Sequence, residues 1–368
     1  MKTKSFFQSL SEGETNFYTY NTNKEKGPGK KSDAPFYNKA MELNRDLSVV
    51  FCQNLINSNK KELRFLDGLA SSGVRGFRLA NELTGDFEVT INDWDLNAFD
   101  LIKKNFELFN FDNVLISNEN LNVLLSSDNF DYIDIDPFGS PAYFIDSAIR
   151  SINNNGVIAC TATDTATLCG VYPKTCIRRY GAVPFHSEVM KEVGLRILLG
   201  FICRIAGFHD KAIQPLISYC TDHYFRVYVK INKGAKKANK SIEKIKTIEK
   251  DNFIGIKKTD KEIGPLWMGN IQDKKSIKEI RTTLFEKELK TKNQLWKILD
   301  LLEEEADSPI FYYTTNSISK ILKKSPPKMS EIFEKISMTG HIVTKTHFNP
   351  AGFKTDMPLS DIKNKIFK

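Results

Sequence analysis

Three carboxylates that close short apolar runs are the residues of this sequence best suited to chemistry. Asp67, Asp93 and Asp136 each stand at or directly after a strand-like segment. Because the carboxyl ends of parallel strands meet at one edge of a sheet, these side chains are expected to lie close together. A carboxylate can face a cationic ligand, accept the hydroxyls of a ribose, or take a proton from a reacting group. The pattern therefore predicts a binding site that contains a general base.

The segment 131–141 is the most specific for a reaction, because an apolar strand there runs into Asp136, Pro137 and Phe138. An exocyclic amine of a base is a poor nucleophile, since its lone pair is delocalised into the ring. A carboxylate that accepts a hydrogen bond from the amine localises that lone pair and can then remove the proton. Proline fixes the turn, and an aromatic ring can stack on a base that has left its helix. We expect Asp136 to activate the amine and Phe138 to contact the base; an ordinary strand exit is the alternative.

The segment 63–76 predicts where a nucleoside binds. Its strand ends in Asp67 and Gly68, and Gly73 precedes a helix whose first N–H groups are unpaired. A tight structural turn explains this segment about as well. The next βα unit strengthens the prediction, because Asp93 can accept both ribose hydroxyls while Asp95 caps the following helix. Acids would repel a pyrophosphate, so the pair favours S-adenosylmethionine over a dinucleotide.

Short apolar runs alternate with helical patterns from residue 63 to residue 231. This alternation predicts an α/β fold, a parallel sheet with helices on both faces. The turn 219–223 is too short for a parallel crossover, so the last two strands form a hairpin and one strand is antiparallel. Residues 1–60 are predicted to hold a basic loop at 21–33 and a helix near 38–56, and residues 61–231 the catalytic domain.

Charge is distributed unevenly over the 368 residues. Residues 1–230 carry 25 Lys and Arg against 27 Asp and Glu, whereas residues 231–368 carry 28 against 18. We expect 232–250 to be a lysine-rich linker or weakly structured insertion, and 251–368 to be a basic, smaller α+β domain that meets the phosphate backbone of a nucleic acid, with a winged helix as one candidate. Solubility alone could also account for the surplus. No apolar run is long enough to span a membrane, and scattered cysteines favour reduced thiols in the cytoplasm.

The chain resembles the tRNA guanine-26 N2-dimethyltransferase family over nearly its whole length. The segments that carry the resemblance are 36–38, 41–46, 67–76, 136–141, 162–170, 264–269, 346–348 and 354–356. The resemblance implies a Rossmann-like class I methyltransferase domain and a smaller carboxyl-terminal domain that binds tRNA. It implies transfer of one and then two methyl groups from S-adenosylmethionine to N2 of a tRNA guanine. It implies that Arg45 and Arg75 help to hold the cofactor, that Asp93 binds its ribose, and that Asp136 is catalytic. It places Asn120 and Leu121 at the adenine.

Two features depart from the family pattern. The adenine position has Asn120 and Leu121 where relatives commonly have Asp and Ala. Many members also carry four zinc-binding cysteines before the 264–269 segment, but residues 221–368 of this chain contain no cysteine. No metal is therefore expected.

Other functions and roles remain open from the sequence. An amino-methyltransferase that acts on another RNA or DNA base would use the same motif chemistry, and a non-catalytic tRNA-binding protein is a third hypothesis. Arg178 and Arg179 could contact phosphate or form surface ion pairs. His347 is predicted to be a hydrogen-bonded structural residue, and the cysteines around residue 164 to be buried thiols.

Overall fold

The computed structural model describes residues 7–20, 37–221, 223–249 and 262–367. The predicted basic loop at 21–33 lies outside the described residues. The strands are β1 (Phe7–Glu12), β2 (Thr15–Tyr20), β3 (Leu63–Asp67), β4 (Phe87–Asn92), β5 (Val114–Ser117), β6 (Phe130–Ile135), β7 (Ile152–Ala162), β8 (Lys211–Cys220), β9 (Phe225–Lys233), β10 (Ile245–Glu249), β11 (Glu262–Trp267), β12 (Tyr313–Thr314), β13 (Val343–Lys345) and β14 (Gly352–Thr355).

The helices cover both faces of the main sheet and most of the carboxyl-terminal part. They are α1 (Glu42–Asn57), α2 (Val74–Glu82), α3 (Leu96–Phe106), α4 (Leu121–Ser127), α5 (Ile145–Ser151), α6 (Thr165–Leu168), α7 (Pro173–Tyr180), α8 (Met190–Phe208), α9 (Ala235–Ile242), α10 (Lys274–Glu286), α11 (Lys292–Glu305), α12 (Thr315–Leu322), α13 (Met329–Met338) and α14 (Leu359–Asp361).

The main sheet has seven strands in the order β5-β4-β3-β6-β7-β9-β8. Strands β3 to β7 pair in parallel, and only β9 runs against its neighbours. This arrangement confirms the predicted hairpin and the single antiparallel strand. The strand order reverses between β3 and β6, and ligands of such sheets bind beyond the carboxyl ends of the strands at that point.

Two apolar cores cover the two faces of the sheet. One joins the sheet to α4, α5 and α8, and the other joins it to α1, α2, α10 and α11. Buried residues of α10 and α11, such as Ile280 and Leu299, belong to the second core. The predicted domain boundary at residue 250 therefore does not coincide with a boundary between cores. Only the last part of the chain, from Ile318 to Phe367, has a core of its own.

The segment 232–250 is folded in its described part, so the weak structure predicted for this linker or insertion is wrong for residues 232–249. Helix α9 packs on α8 and β8, burying Ala238 and Ser241, and the Ser241 hydroxyl accepts a hydrogen bond from the Ile213 amide at 3.2 Å. Strand β10 pairs with β11, and Lys244 lies over the buried ring of Trp267. The many lysines on the solvent side of α9 and β10 obscured the few buried positions in the sequence. Their aliphatic stems can cover apolar surface while their charges stay in water.

The carboxyl-terminal unit is winged-helix-like. Its elements run β12, α12, α13, β13 and β14, and its three-stranded sheet has the order β12-β14-β13. Ile332 and Ile336 on α13 pack with Phe353 on β14 in the separate core. The topology agrees with the small α+β domain expected from the helical periods and the late β-like segment.

A buried group of charges attaches this unit to α8. Glu192 of α8 accepts hydrogen bonds from Arg196 at 2.8 Å, from Lys354 of β14 at 3.2 Å and from the amide of Phe311 at 3.0 Å. Glu305 at the end of α11 binds His347 Nδ1 at 2.8 Å. His347 is therefore a hydrogen-bonded structural residue, as predicted, and the family-like segments 346–348 and 354–356 serve in part to join the two units.

The amino-terminal hairpin of β1 and β2 was not predicted, and Glu12 anchors it. Its carboxylate accepts two hydrogen bonds from Arg45, at 2.6 and 2.5 Å, and one from Arg78 at 2.9 Å. Tyr37 donates a further one at 2.7 Å. Burial alone would raise the pKa of Glu12, but the charges of Arg45 and Arg78 outweigh it and lower the pKa to about 2.

Replacement of Glu12 by Gln is expected to lower the free energy of unfolding at pH 7 by about 3 kcal/mol, the equivalent of the lowering of its pKa from 4.5 to about 2. Because an acid with a lowered pKa stabilises the fold only while ionised, the difference from wild type should shrink as pH falls below 4.5. Urea denaturation at several pH values measures both effects. The exposed neighbour Glu14, replaced by Gln, is the matched control and should change stability by less than about 0.5 kcal/mol. An equal effect of the two replacements would contradict this role of Glu12.

Candidate active site

A cavity of about 820 Å³ opens at the carboxyl ends of β3, β4, β6 and β7. It is the place where the topology puts a ligand site, and it joins all three of the predicted carboxylates. The residues in its wall are Tyr37, Asn38, Met41, Arg45, Asp67, Leu69, Ala70, Ser71, Ser72, Val74, Arg75, Asp93, Trp94, Asp95, Ala98, Asp136, Pro137, Phe138, Gly139, Ser140, Tyr143, Phe144, Thr163, His223 and Tyr224.

Asp136 follows the last residue of β6 and is held by Arg75 of α2. Arg75 Nη2 donates to Asp136 Oδ2, and the Asp136 side chain keeps 20% of its surface exposed. The other nitrogen of Arg75, Nη1, binds Asn44 at 2.8 Å and the Ser48 hydroxyl at 2.7 Å, both on α1. Because Arg75 is fixed at both ends, it holds the carboxylate in one orientation at the cavity wall.

A second buried pair lies behind the first, and the sequence analysis missed it. Asp134 of β6 binds both nitrogens of Arg226 on β9, at 2.9 and 2.5 Å, and it lies 3.4 Å from Arg75 Nη1. Neither Asp134 nor Arg226 is exposed. Burial would raise the pKa of Asp134, but Arg226 and Arg75 together lower it. The available signal was a charge inside each of two apolar strands, since buried charges must find partners.

Asp67 and Asp93 line the cavity as predicted, and they differ in their surroundings. Asp67 is buried, with Oδ2 accepting a hydrogen bond from the amide of Gly76 at 3.0 Å. Burial, opposed by the charge of Arg75, raises the pKa of Asp67 to about 7. Asp93 receives the amide of Ser71 at 2.7 Å, so it also fixes the glycine-containing turn.

Asp95 caps α3 by accepting the amides of Asn97 at 2.9 Å and Ala98 at 3.2 Å. This arrangement agrees with the prediction that Asp95 is the cap of α3. Asp93 does not cap that helix. The carboxylate of Asp93 can therefore serve a ligand in the cavity.

The predicted glycines shape the site without lining the cavity. Gly68 follows Asp67, and a Cβ there would lie 2.8 Å from Leu121 and 3.1 Å from the Asp134 carbonyl oxygen. Gly73 has φ +77° and stands before α2, where a Cβ would approach Phe77 to 2.6 Å. Both positions therefore require glycine for packing, in addition to any ligand contact.

Asn120 and Leu121 are not among the residues that the structure brings to the cavity wall. Asn120 caps α4, accepting the amide of Asn122 at 3.0 Å, and Leu121 is buried against Gly68. Helix capping and core packing thus occupy the two side chains in this conformation. Contact of either residue with an adenine stays a prediction.

Arg45 faces the cavity from α1 and is bound by the hairpin residue Glu12. Its Nη2 also donates to the carbonyl oxygen of Asn38 at 3.0 Å, and its guanidinium lies 5.0 Å from the centre of the Tyr37 ring. The hairpin therefore positions an arginine that the resemblance assigned to the cofactor.

The loop that carries Phe138 is tied to the segment after β7. The amide of Gly139 donates to the Thr163 hydroxyl at 2.6 Å, and the amide of Thr163 returns to the Gly139 carbonyl oxygen at 2.9 Å. Gly139 has φ +97°, a backbone conformation that side chains rarely adopt. These hydrogen bonds fix the turn, and the Phe138 ring, which is 54% exposed, lies in the wall of the cavity.

Further aromatic residues line the cavity that sequence reasoning did not identify. Trp94 and Tyr143 are exposed, and Tyr224 is buried. Trp94 stands between Asp93 and Asp95, where an exposed tryptophan beside a predicted ribose acid was the available signal. Tyr143 and Tyr224 come from segments that carry no such mark. Together with Phe138 they give the cavity the aromatic surface on which a base can stack.

The described residues contain no group of His, Cys, Asp and Glu that could hold a metal ion. Within the same residues no helix is long and apolar enough to cross a membrane. All six cysteines are buried and form no disulfide, and burial raises the pKa of Cys160 to about 12 and that of Cys169 to about 11. This agrees with the predicted structural role of these thiols.

Comparison with known proteins identifies the family to which this chain is similar. The family model for N2,N2-dimethylguanosine tRNA methyltransferase matches residues 19–367. A tRNA (guanine(26)-N(2))-dimethyltransferase of Methanobrevibacter smithii is 37% identical, over 91% of this chain and 92% of its own, and that of Pyrococcus furiosus is 38% identical over 89% and 91%.

Among solved structures, Trm1 from Pyrococcus horikoshii in complex with S-adenosyl-L-methionine is 34% identical to this chain. It has a TM-score of 0.87 and covers 98% of this chain and 99% of its own. The similarity confirms the predicted methyltransferase fold over both the sheet and the carboxyl-terminal part. The chain therefore belongs to the N2,N2-dimethylguanosine tRNA methyltransferase family.

Proposed function

We propose that this protein transfers methyl groups from S-adenosylmethionine to the N2 amino group of guanine 26 in tRNA, first one and then a second. The observation that carries the proposal is Asp136, an ionisable side chain fixed by Arg75 at the wall of the cavity, with the exposed ring of Phe138 two residues away. The relatives named tRNA (guanine(26)-N(2))-dimethyltransferase suggest the substrate, and the solved complex of Trm1 with S-adenosyl-L-methionine suggests the cofactor.

The residues of the cavity fit the cofactor. Its volume of about 820 Å³ lies within the range of small-molecule sites. Asp67, whose pKa is near 7, would gain from a cation beside it, and Asp93 would hold the ribose. Arg45 and Arg75 would bind the carboxylate of the methionine part. S-adenosylmethionine, when bound, supplies a methyl group on an electrophilic sulfonium.

Asp136 would act on the amine. Arg75 donates to Oδ2, and the Asp136 side chain keeps 20% of its surface exposed, so the carboxylate has room for a further donor. Oδ1 can therefore accept an N–H of the guanine amino group, which directs the nitrogen lone pair out of the ring, and it takes the proton as the new bond forms. N2 of guanine carries two hydrogens, so after one methylation the same carboxylate still has an N–H to accept. Phe138 would hold the base by stacking while Pro137 fixes the turn.

The partner in this proposal is tRNA, and its arrival requires a basic surface beyond the cavity. Residues 251–368 carry 21 Lys and Arg against 16 Asp and Glu, which fits binding of a phosphate backbone by this part of the chain. A cytoplasmic location belongs to the same proposal, since tRNA is the substrate and the six cysteines form no disulfide.

The proposal is tested by incubating the protein with methyl-labelled S-adenosylmethionine and tRNA transcripts that carry G or A at position 26. Label in N2-methylguanosine and N2,N2-dimethylguanosine, lost when G26 becomes A, is the expected result. Methylation that survives this change would move the activity to another base. Absence of any methylation, despite binding of both ligands, would leave a tRNA-binding protein.

Replacement of Asp136 by Asn should lower the single-turnover rate at least 100-fold, because the amide cannot take the proton. The dissociation constant for S-adenosylmethionine should change less than about threefold, since Asp134 still neutralises Arg75. Rapid-quench assays and calorimetry measure the two quantities. Asp128→Asn, at the amino-terminal end of β6, is the matched control and should retain full activity. Wild-type turnover in the Asp136 variant would end its assignment as the base.

The affinity for S-adenosylmethionine should depend on pH through Asp67. Its pKa is about 7 in the free protein, so the carboxylate is largely protonated at pH 6 and ionised at pH 8. A cation prefers the ionised form, so binding should be up to about tenfold weaker at pH 6 than at pH 8, with proton release near pH 7. Calorimetry in two buffers of different ionisation enthalpy detects the released proton. The Asp67→Asn variant should bind more weakly and lose this pH dependence; an unchanged dependence in that variant would assign it elsewhere.

A further inference from the structure

A strongly basic stretch lies in the half of the chain that is otherwise slightly acidic. Residues 165–187 contain Lys174, Arg178 and Arg179 and no Asp or Glu, whereas residues 1–230 as a whole have more acids than bases. The three cations fall on α7, which begins at Pro173 and ends at Gly181 with φ +59°.

Helix α7 separates a buried face from an exposed one. Cys176 and Tyr180, four residues apart, are buried against the protein. Lys174, Ile177 and Arg178 share the opposite face at helical spacing and are exposed. Within the described part of the chain, neither Lys174 nor Arg178 forms an ion pair, whereas Arg179 binds Asp164 at 3.3 Å. The sequence left phosphate contact and ion pairing open for both Arg178 and Arg179. Among the described residues, Arg179 has an ion-pair partner and Arg178 has none.

Stabilisation of the helix does not account for both exposed cations. Arg178 lies in the last turn of α7, where the helix dipole favours a positive charge. Lys174 lies in the first turn, where the same dipole disfavours it. The position of Lys174, which the helix dipole disfavours, is better explained if this lysine binds an external anion.

Exposed apolar side chains accompany the cations. Tyr172 is 58% exposed just before the helix, beside the exposed Val171, and Ile177 is exposed between the two cations. Cations interleaved with an exposed aromatic ring are typical of surfaces that bind single-stranded nucleic acid, where phosphates meet the charges and a base stacks on the ring. A purely solvating helix face would need neither Tyr172 nor Val171.

Hydrogen bonds connect this surface to the cavity. The Tyr180 hydroxyl donates to Asp164 at 2.8 Å and accepts the Ser140 hydroxyl at 2.7 Å, and Ser140 lines the cavity. The hydroxyl of Tyr143, also in the wall, lies against the guanidinium of Arg179. The basic face is thus fixed to the loop that follows Asp136.

We propose that Tyr172, Lys174 and Arg178 bind the tRNA strand next to the target nucleotide, with the two cations on its phosphates and the tyrosine against a neighbouring base. The inference rests on the proposed function, and it identifies a substrate surface on the helix that is hydrogen-bonded to the loop after Asp136, earlier in the sequence than the basic carboxyl-terminal part. A base that has left its helix draws its flanking backbone toward the cavity, and α7 is placed to receive it.

The test measures tRNA binding by the full chain as a function of salt. The double variant Lys174→Ala with Arg178→Ala should weaken binding about tenfold or more at moderate salt. It should also reduce the slope of log affinity against log salt by between 1 and 2. Affinity for S-adenosylmethionine should stay within about twofold. Tyr172→Ala should weaken tRNA binding at least about fivefold, and Tyr172→Phe should restore it.

The matched control is Lys236→Ala with Lys240→Ala, an exposed pair with the same spacing on α9, which follows β9 at the end of the strands opposite the cavity. It should leave the affinity and the salt slope unchanged. If wild type methylates G26 but the α7 variants match the control, the α7 surface is wrong and the proposed function stands. If wild type does not methylate G26, the function itself fails, whatever the α7 variants do.

Discussion

The site depends on a chain of alternating charges that the protein must keep paired because it is buried. Arg226, Asp134, Arg75 and Asp136 follow one another from the middle of the sheet to the cavity wall. An unpaired charge at any of the first three positions would be costly, and loss of one partner typically costs several kcal/mol. This constraint joins β9, β6 and α2, so the fold of the sheet and the orientation of the reactive carboxylate are set by the same contacts.

A second group of buried charges does the same for the other wall of the cavity. Glu12 on the hairpin holds Arg45 and Arg78, and Arg78 in turn binds Asp46 at 2.6 Å and Glu82 at 2.8 Å. The hairpin is thereby part of the site although it lies far from the motifs in sequence. The carboxyl-terminal unit is attached on the same principle, through Glu192 and its partners.

Much of the site could be predicted from local pattern, and the rest could not. Asp67, Asp93 and Asp136 were accessible because each closes an apolar run, and parallel strands bring such ends together. The pair of Asp134 and Arg226 could not be predicted in this way, because the two residues are 92 positions apart in the sequence. Taken singly, each is only an unexpected charge within an apolar strand. Their burial, rather than any motif, is what requires the pair.

The failures in the fold have a similar cause. The lysine density of residues 232–250 predicts a linker or a weakly structured insertion, yet a few buried positions such as Ala238 suffice to dock a helix whose other side is solvated. Charge counting predicts a nucleic-acid surface in residues 251–368, and this stays a prediction. A net charge summed over a long segment conceals a short basic face such as that of α7, which has to be found by its exposure in three dimensions.

The central claim is that the carboxylate of Asp136 meets the amino group of a guanine that has left its helix. It is tested most directly by the structure of the complex with tRNA and an unreactive analogue of S-adenosylmethionine. The account predicts an Asp136 oxygen about 2.6–3.2 Å from N2 of guanine 26, with Phe138 against the ring. A guanine bound with N2 turned away from Asp136, or with a different side chain at that distance, would contradict it.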